Sequence, residues 1–157
     1  MSKLKQIAGL LVSLLIVFGI ASLGGFLTGL SVDTWYPGLA KPSWTPSGRT
    51  IGAVWTILYT LMAIAAWIVW RGNDRGRKRP LTIYALQLLL NLGWSALFFG
   101  LQSPGFALFE IGALWVSIVA TAASFWKVSK PAGALMAPYL IWVSFAAVLN
   151  AVIWRLG

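Results

Sequence analysis

The sequence predicts an all-α integral membrane protein: a bundle of five transmembrane helices with a structured loop between the first and the second. Composition is the first reason. Of 157 residues 59% are hydrophobic and only 10% charged, with mean hydropathy +0.83, where ordinary soluble domains carry about 25% charge. The second is five apolar runs, at about 7–30, 49–70, 81–101, 106–126 and 132–154, each close to the ~20 residues that cross a ~30 Å hydrocarbon core. The third is tryptophan placement. Six of the ten Trp residues (Trp35, Trp44, Trp67, Trp70, Trp126, Trp154) fall near the ends of those runs, as in an interfacial aromatic belt. One domain, 1–157, accommodates all of this.

The first run follows Lys3 and Lys5 and carries no charge from 7 to 30. It is too long for the ~7–15-residue apolar region of a signal peptide. Ala21, Gly25 and Gly29 recur every four residues, a small-residue face on which another helix is expected to approach closely.

Residues 35–47, WYPGLAKPSWTPS, then crowd aromatic, proline, glycine and lysine residues together without helical periodicity. Pro37, Pro42 and Pro46 remove backbone donors and fix φ, so neither a helix nor a central strand passes through. Trp35, Tyr36 and Trp44 suit the headgroup level. Thr45 is the expected N-cap and Pro46 the first helical position of the next span.

In the second span Trp55, Tyr59 and Met62 share one face. RGNDRGRKRP at 71–80, with Gly72, Gly76 and Pro80, reads as a short polar turn and not as a basic helix. In the third span Gln87, Asn91 and Ser95 form a polar stripe flanked by Trp94 and Phe98. Amides at membrane depth need partners, so this face points into the bundle. The link 102–105 is short enough that spans three and four must be antiparallel neighbours.

Glu110 is the one carboxylate within an apolar run. It lies within two turns of the helix start, where water and the helix dipole favour it, and a solvated or capping role is expected. The fifth span puts Trp142, Ala146 and Asn150 on one face and ends at Arg155.

Lys3, Lys5, Arg71, Arg75, Arg77, Lys78, Arg79, Lys127 and Lys130 fall on one side of a five-span bundle, and Lys41, Arg49 and Arg155 on the other. The positive-inside rule then places the N-terminus in the cytoplasm and the C-terminus, with the 35–47 loop, outside. This topology accounts for the net charge of +9 better than nucleic acid does, because the basic residues form no stripe interleaved with aromatics. Without His or Cys the usual zinc sites, Ser-His or Cys-His nucleophiles and His ligation of haem iron are excluded.

The inward candidates are aromatics and a few amides, a lining that suits a flat apolar ligand with a few polar groups. Bundle packing, with Asn91 as interhelical glue, accounts for Trp55, Tyr59, Asn91 and Trp142 slightly better on periodicity alone.

WYPGLAKPSWTP, followed by Trp55 and Tyr59, by Gln87, Asn91 and Trp94, and by PYLIWVSFAAVLN at 138–150, closely resembles the tryptophan-rich sensory protein family (TspO/MBR, the translocator or peripheral-type benzodiazepine receptor family). The resemblance covers nearly the whole chain. It implies a five-helix, commonly dimeric membrane protein that binds porphyrins such as protoporphyrin IX or haem as ligand and requires no cofactor or metal. The implied pocket comprises Trp55, Asn91, Trp142 and Ala146, closed by Tyr36, Pro42 and Trp44 of the first loop. Tyr59, Gln87, Trp94 and Asn150 join them as candidate ligand-binding residues. Where the family's loop usually ends Trp-Thr-Pro-Pro, Ser47 stands here and is expected to loosen the turn. The stretch 149–155 lacks the Tyr of the mammalian cholesterol motif, so sterol binding is not expected.

The expected function is therefore a porphyrin sensor in a bacterial-type membrane, regulating tetrapyrrole metabolism or a stress response. A carrier of the same ligand comes second. A light-dependent porphyrin-degrading activity using Trp55 and Trp142 comes third, with no other catalytic residue, and a purely structural membrane protein fourth.

Overall fold

Helices account for most of the chain, and five of them are long and apolar enough to cross a membrane. The structure is a computed structural model that describes residues 1–72 and 74–157. In order it comprises α1 (Lys3–Gly29), a 3-10 turn at Tyr36–Gly38, α2 (Gly48–Arg71), α3 (Asp74–Ser95) running into a π-helical turn (Ala96–Gly100), α4 (Pro104–Val128), α5 (Lys130–Leu135) and α6 (Ala137–Leu156). The fifth crossing is thus α5 and α6 together, interrupted at Met136.

Caps explain several of the ends. Ser2, Ser47, Ser103 and Ser129 each accept from the backbone N–H three residues on, satisfying one of the orphan donors of a first turn. Pro104 and Pro131 sit in first turns, where a missing N–H costs nothing. The cap of α2 is a correction, because Thr45 does not start that helix. Its hydroxyl donates back to the Pro42 carbonyl at 2.6 Å, which leaves the capping to Ser47, whose hydroxyl accepts from the Thr50 N–H at 3.2 Å.

The expected turn at 71–80 is a second correction, apart from Asn73, which lies outside the described residues. From Asp74 onward the segment is the beginning of α3, and Pro80 is inside the helix. Asp74 complements the N-terminal end of the dipole and pairs with Arg77 at 2.6 Å, one turn on. Residue 76, whose carbonyl the Pro80 ring meets, is a glycine, which lets the backbone adjust.

Buried side chains of α2, α4 and α6, among them Met62, Ile118, Phe125, Tyr139 and Val143, form one core between the helices. Leu4, Leu15, Phe26, Leu89, Phe109 and Ile141 are exposed, as faces meeting lipid tails are. Helices α3 and α4 are adjacent, as the short link requires. Gly93 faces Glu110 so closely that a Cβ there would lie 2.9 Å from Oε1. Glu110 itself is the third correction. Both carboxylate oxygens are buried without a hydrogen-bond partner, so the group is neither solvated nor capping, Ser103 having taken the cap.

Candidate functional site

A cavity of about 580 Å³ lies between α1, α2, α3 with its π-helical turn, and α6. Its position follows from where the helices separate. Helices α1 and α2 are pinned together by the Trp67 indole N–H on the Gln6 carbonyl (2.8 Å), by the Ser13 hydroxyl on the Ala63 carbonyl (2.7 Å), and by Phe18 edge-on to Tyr59 (6.3 Å). Beyond these contacts the walls are Ser22, Gly25 and Gly29 from α1 and Gly48, Gly52 and Thr56 from α2, all exposed. No atom lies within 4 Å of where a Cβ would stand at any of these four glycines. The small-residue stripe therefore opens the cavity sideways and does not receive a helix. The helix contact is made instead by Gly24, where a Cβ would lie in ordinary contact, 3.7 Å from the Ser95 hydroxyl of α3.

The remaining wall is apolar, with Ile51, Ile111, Leu114 and Leu149 among its aliphatic members and a run of aromatic rings beside them. Trp55 stacks on Tyr59 at 5.3 Å and meets Tyr139 edge-on at 6.0 Å. Trp94 stacks on Phe98 at 4.9 Å, and Trp142 leans on Phe145 at 5.4 Å. The π-helical turn, closed by the Leu101 N–H on the Ala96 carbonyl (2.8 Å), keeps Phe98 and Phe99 both inward, 4.8 Å apart. Inserted turns of this kind often mark functional sites.

These two phenylalanines hold the loop. Tyr36 packs on Phe99 at 5.6 Å, Trp35 on Phe98 at 5.6 Å, and the Ser31 hydroxyl donates to the Phe99 carbonyl at 2.7 Å. The Lys41 ammonium donates to the Tyr36 carbonyl at 2.7 Å and lies 4.5 Å from the centre of its ring. Burial pushes the Tyr36 phenol above its ordinary value of 10.0, so at neutral pH it stays a neutral donor.

The polar groups form two closed sets. Tyr59 donates to the Asn91 carbonyl oxygen (2.9 Å), the Asn91 amide donates to Tyr139 (2.8 Å), and Tyr139 donates to Gln87 (2.8 Å). Gln87 then reaches the Met62 sulfur at 3.8 Å. In the second set Trp94 donates to the Asn150 oxygen (2.9 Å), whose amide donates to the Pro104 carbonyl (2.8 Å). Among the described residues of the wall, one buried side-chain polar atom has no partner. The Trp142 indole N–H is buried and unbonded.

The TspO/MBR family model aligns with residues 11–155. The chain belongs to the TspO/MBR family. It is 42% identical over 157 residues to the tryptophan-rich protein TspO of Chlorobaculum tepidum, covering 98% of each chain. The TspO of Archaeoglobus fulgidus is 41% identical over 152 residues, 97% of this chain and 99% of that one. The translocator protein of Sus scrofa is 40% identical over 143 residues, 87% and 85% of the two chains.

Of the candidate residues in this TspO/MBR chain, Tyr36, Trp55, Tyr59, Asn91, Trp94, Trp142, Ala146 and Asn150 line the cavity together. Pro42, Trp44 and Gln87 are not in its wall. Trp44 is 46% exposed and meets Phe145 edge-on at 5.6 Å, outside the ring of inner aromatics. Gln87 is fully buried behind Asn91, its amide spent on Tyr139 and Met62. Tyr139 was missed as the hub that joins α3 to α6. Its spacing of three, seven and eleven residues before Trp142, Ala146 and Asn150 puts it on their face, the one signal that points to it.

Proposed function

We propose that the protein is a membrane receptor for planar tetrapyrroles, binding a porphyrin between the rings of Trp55 and Trp142 beneath the Tyr36 loop. What carries this reading is the run of aromatic faces in the cavity wall, Trp55 stacked on Tyr59 at 5.3 Å and Trp142 leaning on Phe145 at 5.4 Å, with the amides beside them already paired. A ligand needs π-surface to match those faces, and the flat ring system of a porphyrin supplies it. The volume is within the ~300–1,000 Å³ of small-molecule sites. A homodimer, with regulation of tetrapyrrole metabolism or of a stress response as the role, belongs to the same reading through the family resemblance. The test is titration of purified protein with protoporphyrin IX, read by Trp quenching and porphyrin absorbance. Saturable binding that weakens in Trp55→Ala and Trp142→Ala is expected. Absence of saturation rejects the reading.

A carrier of the same ligand is the second reading, favoured by the sideways opening between α1 and α2, through which an apolar ligand would exchange with the bilayer. Flux of labelled porphyrin into proteoliposomes separates the two readings, since a receptor binds without flux.

A further inference from the structure

A second cleft, of about 460 Å³, lies between α1 and α3 near the amino end of α1, with α2 as its back wall. It shares no lining residue with the aromatic cavity. Ala8 and Val12 of α1 and Ala85 of α3 are exposed at its opening, and Trp67 and Trp70 of α2 form the back. Gly9 makes the geometry possible, because a Cβ there would lie 2.3 Å from the Trp70 ring. The walls are almost wholly apolar, and the opening is on a membrane-spanning surface, so lipid tails face it at all times.

Charge is concentrated at one end. Lys5 lines the cleft itself. The Arg71 guanidinium lies 4.1 Å over the Trp67 ring and donates to the Gln6 side chain at 3.3 Å, which holds it at the same rim. Arg77 stands 5.6 Å from the Trp70 ring, but its charge is offset by Asp74 at 2.6 Å. The other two acids, Asp33 and Glu110, lie beyond the far end of α1 and at the start of α4. Lys5 and Arg71 are therefore net positive groups above an apolar slot that reaches membrane depth. An elongated amphiphile with an anionic head fits this pattern, and a free phosphate does not, because it would leave the slot unfilled.

We propose that this cleft binds one anionic glycerophospholipid of the surrounding leaflet, with an acyl chain along Val12 and Ala85 and the phosphate between Lys5 and Arg71. Each cation near the headgroup is expected to favour the anionic lipid about fivefold.

The test uses the full chain in detergent, titrated with phosphatidylglycerol or phosphatidylcholine and read by native mass spectrometry. The wild type should retain phosphatidylglycerol in preference to phosphatidylcholine. Lys5→Gln with Arg71→Gln should abolish that preference, and Ala85→Phe, which fills the slot from an exposed position, should abolish retention of both lipids. Circular dichroism reports whether each variant is folded. If Ala85→Phe loses its helicity, Val12→Phe fills the slot from the opposite wall. Equal retention of the two lipids by the wild type, a preference surviving the double change, or retention by the filled-slot variant overturns the proposal. So does a filled-slot variant that alters the oligomeric mass in place of the lipid count, since the cleft would then be an interface between copies.

Discussion

Asn91 of α3 donates its side-chain amide to the Tyr139 hydroxyl of α6 at 2.8 Å while its carbonyl oxygen accepts from Tyr59 of α2 at 2.9 Å. One amide thus ties three helices together at membrane depth, and both its donor and its acceptor are engaged before any ligand arrives. Asn91→Ala should therefore act on stability first. Two phenols lose a partner, at a cost of about 1–3 kcal/mol, visible as a lower melting temperature in detergent. Porphyrin affinity of the folded fraction should change little. Unchanged melting with a tenfold affinity loss would assign the amide to the ligand.

Trp142→Phe keeps most of the ring surface and removes the unbonded N–H. Stability should hold or rise, because an unsatisfied buried donor is gone, and porphyrin affinity should change little, because an aromatic face remains. Trp55→Ala and Trp142→Ala remove stacking and area together and should each cost about 1–3 kcal/mol of binding. Wild-type affinity in both folded Ala variants would return these rings to bundle packing.

Free-base protoporphyrin IX and haem should bind with affinities within a few fold of each other. The sequence has no His and no Cys, so nothing of the usual kind ligates the iron, and recognition rests on the ring system. Competition between the two porphyrins, followed by absorbance, measures the ratio. A preference of a hundredfold for haem would point to a metal ligand.

Gly133 of α5 packs against the backbone of Trp126 in α4, where a Cβ would lie 2.8 Å from Cα and 2.9 Å from N. Backbone cannot swing aside as a side-chain tip does, so Gly133→Ala should destabilise by about 1–3 kcal/mol through overpacking. Gly112→Ala, also inside a helix but with nothing within 4 Å, is the control and should melt no lower than the wild type.

Cys introduced at Ser43 in the loop and at Lys78 in the first turns of α3 should react with an impermeant thiol reagent from opposite sides of the membrane, Ser43→Cys from outside. The chain contains no native Cys to confuse the readout. Labelling of both from outside would contradict the orientation expected from the basic residues.

The sequence by itself determined the elements that depend on local composition. Apolar length fixed the five crossings, proline density fixed the irregular loop, and the spacing of Gln87, Asn91 and Ser95 showed which face of α3 turns inward. Tertiary structure decided what those faces meet. Gly25 and Gly29 look the same in sequence whether a helix or a void lies opposite, and here α1 and α2 separate there and leave a void. Asn91 and Gln87 sit one turn apart on the same stripe, yet only Asn91 reaches the cavity, because Tyr139 from a distant helix covers Gln87. Pro80 reads locally as a stop, but the chain continues as helix through it, with the Asp74–Arg77 pair in the first turns. Periodicity specifies direction around one helix axis; distance to the next helix comes from packing among all five, and that distance separates a cavity from a core.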